Sequence, residues 1–277
     1  MFSFVRLRGL SGFSLLLFAL IASPTSVAQQ STYLGFDRND YPGDANLPVL
    51  RRTFSYAGYW LNNPPGSKTN SWARKRPALE SAGFGFLVLF NGRLYKELKH
   101  EPAAVGRADA REATAAAKRE GFPARTIIFL DIEEGGRMLP EQKSYIYAWV
   151  NAVMASGFRA GVYCSGIPAK EGKTSIVTAE DIRANAQGRD ISYWVTNDAC
   201  PPSPGCVFSE HLPSPSDSRV SFADVWQFAQ SPRRKDFAAG CHNYNPDGNC
   251  YPPGVDPASH LHVDLNTATS SDPSRSR

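Results

Sequence analysis

Apolar positions in this chain gather into short clusters separated by polar, Gly- and Pro-containing stretches. Eight clusters are four to six residues long and rich in aromatic or β-branched side chains, the pattern of strands. They are Tyr33–Phe36, Ser55–Trp60, Gly85–Phe90, Ile127–Ile132, Ala160–Cys164, Ile191–Val195, Asp224–Phe228 and Leu261–Leu265. Helical patterns fall between several of them. Trp72–Ala82 stops at Gly83, and the Ala-rich Asp109–Glu120 stops at Gly121 and Pro123. Glu141–Ser156 carries Ile146, Trp149, Val150, Val153 and Met154 on one stripe, and Thr178 is placed to cap a short helix to Ala186. Residues 37–54, 197–222 and 229–260 read as loops. Alternating strands and helices predict a mostly parallel sheet covered by helices, and eight strands favour closure. The expected fold is therefore α/β, a single (β/α)8 TIM-like barrel with some helices replaced by loops.

The ends of the chain differ from this pattern. Arg6 and Arg8 precede an apolar run, Phe13–Ala22, and Ser26-Val27-Ala28 offers a small-residue cleavage site. Residues 1–28 are expected to be a signal peptide, because the run is shorter than the ~20 residues a membrane span needs. The protein is then secreted or periplasmic, with no membrane span once the leader is removed. The barrel is assigned to residues 29–266, about the ~250 residues one such domain takes. Residues 267–277, rich in Ser and Arg, are expected to be a disordered tail. A net charge of +4 with no long basic run gives no sign of a nucleic-acid partner.

Export gives five cysteines a disulfide-forming environment. Cys200 with Cys206 and Cys241 with Cys250 flank short turns and are expected to pair locally, leaving Cys164 as a free core thiol. His260, His262 and Asp264 share a strand face, but their ends lie ~13 Å apart, too far for one ion. Asn243, Asn245 and Asp247 echo the start of a calcium loop, yet Gly254 stands where the closing Glu belongs. No metal or cofactor is expected.

The chemistry concentrates at Asp131 and Glu133. They close an apolar strand at positions i and i+2, so both side chains leave the same face, ~6.5–7 Å apart at Cα. Two carboxylates that close do not both ionise freely, which provides an acid beside a base or charge stabiliser. Cleavage of a glycosidic bond needs such a pair. Asp37 ends the first strand, and Asp264 is expected near the C-terminal end of the last, within Val263-Asp264-Leu265-Asn266. First and last strands are neighbours in a closed barrel, so these acids are expected to approach across the seam. Tyr59, Tyr163, Trp194 and Trp226 near strand ends are candidate sugar-stacking rings, with Trp60 beside them. Asn91, Arg93 and Gln227 are candidate donors to sugar hydroxyl or acetamido groups. Glu134 points away from Glu133 and is expected to be solvated.

Taken in order, Gly35-Phe36-Asp37, Gly121-Phe122-Pro123 through Leu130-Asp131-Ile132-Glu133, Gly161-Val162-Tyr163, Val225-Trp226-Gln227 and Val263-Asp264-Leu265-Asn266 resemble a known family. It is the glycoside-hydrolase-like family once called domain of unknown function 1906, itself similar to the family 25 lysozymes (muramidases). The resemblance runs from about Tyr33 to Asn266. It implies a barrel of glycoside hydrolase type, with Glu133 as general acid and Asp131 orienting an acetamido group or stabilising developing charge. Asp37 and Asp264 would support the floor of the site. The implied activity is cleavage of peptidoglycan or a related extracellular polysaccharide, the alternative being a barrel that binds glycan without cutting it. The Tyr-His-Phe-like strand of the lysozymes is absent, and Phe90-Asn91-Gly92-Arg93 stands in its place, so the groove is expected to differ.

Overall fold

The computed structural model describes residues 1–2, 31–199, 212–230, 252–259 and 261–277. The fold concerns the unit Ser31–Arg277. Residues 3–30, which hold most of the expected leader, lie outside the described residues.

The eight predicted strands close into one barrel. They are β1 (Tyr33–Asp37), β2 (Tyr56–Trp60), β3 (Gly85–Asn91), β4 (Ile127–Asp131), β5 (Arg159–Ser165), β8 (Ile191–Thr196), β9 (Val225–Ala229) and β10 (Asp264–Ala268). A short hairpin not foreseen in the sequence, β6 (Ala169–Glu171) and β7 (Thr174–Ile176), follows β5. The order around the barrel is β1-β10-β9-β8-β5-β4-β3-β2. Among the described residues five α-helices accompany it, fewer than a complete (β/α)8 set: α1 (Leu47–Arg51), α2 (Arg76–Ser81), α3 (Pro102–Arg119), α4 (Pro140–Ala155) and α5 (Thr178–Ala184). Burial explains why the strands read as apolar runs: helices and loops cover the outside, while the inner faces meet each other.

Three elements differ from expectation for local reasons. α2 starts at Arg76, with Pro77 in its first turn, instead of at Trp72. The Trp72 indole N–H donates to Asn39 O at 2.9 Å, which fixes that ring in the core ahead of the helix. α3 begins earlier, because Pro102 suits a first helical turn. β10 runs antiparallel to both neighbours. Asp264 therefore opens its strand at the barrel mouth and does not close it, and it still lands opposite Asp37.

Residues 269–277 are ordered against the bottom of the barrel, which corrects the expected disordered tail. β3 pairs with β4 only from Val88 onward, so the lower ladder groups of β3 are left open. The tail fills them. Phe86 N donates to Asp272 Oδ1 (2.9 Å), Val88 N to Ser274 Oγ (2.8 Å) and Ser274 N to Phe86 O (2.9 Å). Ile127 N donates to Ser274 O at 2.8 Å, so one serine bridges both strands. Polar composition alone suggested disorder, whereas these side chains act as a surrogate strand.

The expected disulfides are also corrected. No disulfide is present among the described residues, where Cys164 is a free, buried thiol inside β5 with no cysteine beside it. Cys200, Cys206, Cys241 and Cys250 lie outside the described residues, as do Asn243, Asn245, Asp247 and His260.

Candidate active site

Strand parity decides which predicted residues reach the mouth. In β4, Phe129 and Asp131 point inward, and Asp131 is aligned with Asn91 of β3 and Tyr163 of β5. Tyr163 is in turn aligned with Trp194 of β8, their ring centroids 4.4 Å apart. Asp37, Trp60, Asp131, Glu133, Tyr163, Trp194, Gln227 and Asp264 line one cavity of about 230 Å³ at the barrel mouth. Asp131 and Glu133 also line a larger groove of about 790 Å³. It extends past Asn62, Asn91 and Arg93 toward Arg74 and Arg119. The two spaces meet at the Asp-x-Glu pair.

The pair is electrostatically unusual. Asp131 is buried, and no N–H or O–H group among the described residues bonds either carboxyl oxygen. Glu133 is the group within hydrogen-bonding reach. Burial first, then the charges of Glu133 and Asp37, push Asp131 well above the ordinary carboxyl range. Glu133 is exposed as a residue, yet its carboxyl is desolvated enough to be raised as well, an effect partly offset by the bond from Asp131. Both carboxyls of the pair are thus raised, the buried Asp131 lying behind a Glu133 that is open to the mouth.

Asp37 is held by a separate network. Its Oδ2 accepts Asn266 Nδ2 at 2.7 Å and Gln227 Nε2 at 2.9 Å. Each amide is oriented from behind: Trp194 Nε1 donates to Asn266 Oδ1 (2.9 Å), and the Tyr163 hydroxyl donates to Gln227 Oε1 (2.8 Å). Gln230 adds an N–H toward Gln227 Oε1 at 3.1 Å. Burial nevertheless pushes Asp37 up to about 6, against the lowering effect of Asn266 and Gln227, with Glu133 adding to the rise. Gly58 makes this seat possible, since a Cβ there would lie 2.6 Å from Asp37 Cβ. Asp264, paired with Asp37 across the seam, lies within electrostatic reach of Arg38.

A prediction follows from the Asp37 seat. A carboxyl whose folded pKa of about 6 exceeds its ordinary 3.8 stabilises the fold fully below the lower value, and that contribution is lost as pH rises through the higher one. At neutral pH the buried charge therefore costs stability. Asp37→Asn removes the charge, and both donors meet one oxygen, which an amide also presents. The variant is expected to be more stable than the parent at pH 7 by about 1–3 kcal/mol, with the gain vanishing near pH 4. Urea unfolding at the two pH values measures this. An equal difference at both would refute the assignment.

Several predicted contacts belong to the scaffold instead. Tyr59 points outward from β2, packs against Trp72, Phe86 and Phe122, and donates to Glu120 Oε2 at 2.5 Å. Its neighbour Trp60 has the inward parity and lines the cavity. Trp226 likewise faces away from the mouth, donating to Asn197 O at 3.0 Å, while Gln227 points in. Arg93 lines the groove but commits Nε and Nη2 to Asp109 at 2.9 and 2.8 Å. Asn91 lines it too, with Nδ2 on Asn63 O at 2.9 Å. Glu134 is not simply solvated, since it accepts Tyr95 N at 2.6 Å and Gln142 Nε2 at 2.9 Å, tying the β4–α4 loop down. Asn266 and Gln230 were not foreseen. Asn266 was available by parity, two residues beyond Asp264, whereas Gln230 follows a strand end with no periodic signal.

Known proteins share this fold. The profile of a family described as Rv2525c-like, glycoside hydrolase-like domain matches residues 56–203. No curated protein matches the sequence. Among solved structures, an uncharacterized B. stearothermophilus protein superposes with TM-score 0.54 at 19% identity, over 85% of this chain and 95% of the other. The Mycobacterium tuberculosis Tat-secreted protein Rv2525c gives 0.51 at 15%, over 86% and 95%. The Clostridium perfringens spore cortex lytic enzyme SleM gives 0.51 at 13%, over 86% and 68%. At these identities the likeness establishes a shared fold.

Proposed function

The chain belongs to the Rv2525c-like, glycoside hydrolase-like domain family, and on that premise we propose that it is an exported glycoside hydrolase. Its proposed substrate is cell-wall peptidoglycan or a related extracellular polysaccharide. The observation that carries the reading is the close pair of raised carboxyls, Asp131 and Glu133, set where the mouth cavity meets a larger groove. Glu133 reaches the solvent side and serves as the general acid toward a glycosidic oxygen. Asp131, buried behind it, faces the charge that develops at the sugar. The cavity is lined mainly by polar groups suited to sugar hydroxyls, with Trp60, Tyr163 and Trp194 at its edge.

The lytic enzyme from C. perfringens, which shares the fold, supports a wall polymer as substrate. Export rests on the leader-like start of the sequence and is supported by the Tat-secreted relative in fold. No described helix is long and apolar enough to cross a membrane. The test is release of new reducing ends from purified peptidoglycan by the mature protein. Release establishes hydrolysis. Retention of the protein on peptidoglycan without release would replace this reading with a glycan-binding barrel.

A further inference from the structure

A second cavity, of about 430 Å³, opens at the opposite end of the barrel, at the starts of β5, β8 and β9. Arg159 stands there and Tyr163 at the mouth, so the two ends are separated by roughly 13 Å of strand. Four arginines line the cavity, Arg159, Arg183, Arg189 and Arg275, against two carboxylates, Asp190 and Asp224.

Their pairing leaves positive charge exposed to a ligand. Arg159 Nη2 is 3.0 Å from Asp190 Oδ2, and Asp190 is itself 70% exposed. Asp224 accepts Tyr193 N at 2.8 Å, which fixes it to the strand. Arg189 bonds only neutral acceptors, Asn151 Oδ1 at 2.8 Å, Ala186 O at 2.9 Å and Gln187 Oε1 at 3.4 Å, and lies over the Tyr147 ring. The Arg183 guanidinium lies 4.1 Å over the Phe222 ring, a cation–π contact that holds its head at the cavity wall. Arg183 and Arg275 form no ion pair among the described residues, and both are exposed. Planar donor forks fixed on aromatic rings suit oxyanions borne on a sugar chain, because the forks bond the anion while the rings offer apolar faces.

We propose that this cavity binds an anionic polysaccharide, with Arg183 and Arg275 engaging its carboxylate or phosphodiester groups. The site does not depend on hydrolysis at the mouth. Bound there, the polymer holds the protein by its closed end and leaves the mouth free.

Affinity electrophoresis through gels carrying polygalacturonate, phosphomannan or neutral dextran tests the proposal. The protein is expected to be retarded by an anionic gel and not by dextran, with retardation falling as salt rises. Polygalacturonate alone would identify carboxylates as the ligand groups, phosphomannan alone phosphodiesters, and both the shared oxyanion chemistry. Arg183→Gln with Arg275→Gln should weaken binding at least ~10-fold. Asp190→Asn, which removes a competing exposed carboxylate, should strengthen it by a few-fold. Passage of the parent through every gel as through dextran overturns the proposal. So does an unchanged affinity in the double variant when it melts like the parent. If the double variant does not fold, failure of Asp190→Asn to tighten binding overturns it instead.

Discussion

Glu133→Gln is expected to lower turnover on peptidoglycan by ~10²–10⁴-fold with little change in KM. Glutamine keeps the length and shape of the side chain but cannot release a proton to a leaving oxygen. The neighbouring Asp131 cannot take over, because it is buried behind the mouth. Asp131→Asn separates the two roles. The new amide donates a permanent hydrogen bond to Glu133 where the parent offers a titrating one. A donor aimed at the charged form lowers a carboxyl pKa. A general acid works only while protonated, so the alkaline limb of the pH–rate profile should move to lower pH, and activity at neutral pH should fall. The measurement is reducing-end release across pH for parent and both variants. If Glu133→Gln retains parental turnover, acid catalysis by Glu133 is wrong. If Asp131→Asn leaves the alkaline limb in place, the electrostatic coupling of the two carboxyls is wrong.

That pair was legible in the sequence because period-2 geometry is rigid: Asp131 and Glu133 at i and i+2 of an apolar strand end leave one face together. The same rule, applied strictly, also separates Trp60 from Tyr59 and Gln227 from Trp226, since adjacent strand residues point to opposite sides. Treating adjacent aromatics as one set blurred that distinction. The approach of Asp37 to Asp264 was foreseen from barrel closure, although the last strand runs the other way. Either direction places the strand beside β1, and the register supplies the pairing. Side-chain commitments over long sequence separations had no local signal. Arg93 looked like a free donor until α3 brought Asp109 to it, and Glu134 looked solvated until α4 brought Gln142. The ordered tail was missed for a related reason. Ser, Asp and Arg composition describes how a segment behaves alone, whereas the open lower edge of β3 gives those polar groups partners.

Removing residues 269–277 should therefore destabilise the barrel by about 2–6 kcal/mol, at about 0.5–1.5 kcal/mol for each hydrogen bond lost. The bonds at stake are those of Phe86 N, Phe86 O, Val88 N and Ile127 N, all supplied by Asp272 and Ser274. β10 ends at Ala268, so the deletion leaves every barrel strand intact. A loss of this size is a large share of the ~5–15 kcal/mol that holds a typical domain together. Two substitutions test the same contact without truncation. Ser274→Ala removes only the hydroxyl that accepts from Val88 N, and should cost about 1–2 kcal/mol. Gly85→Ala would place a Cβ 1.9 Å from Ser271 O, so the tail must lift from β3 to admit it. Because the tail lies at the end of the barrel away from the mouth, both substitutions should lower the urea midpoint, and Ser274→Ala should leave turnover at the mouth unchanged. A deletion variant with the parental midpoint would mean that water replaces the tail at no cost, and that Asp272 and Ser274 merely rest on the barrel.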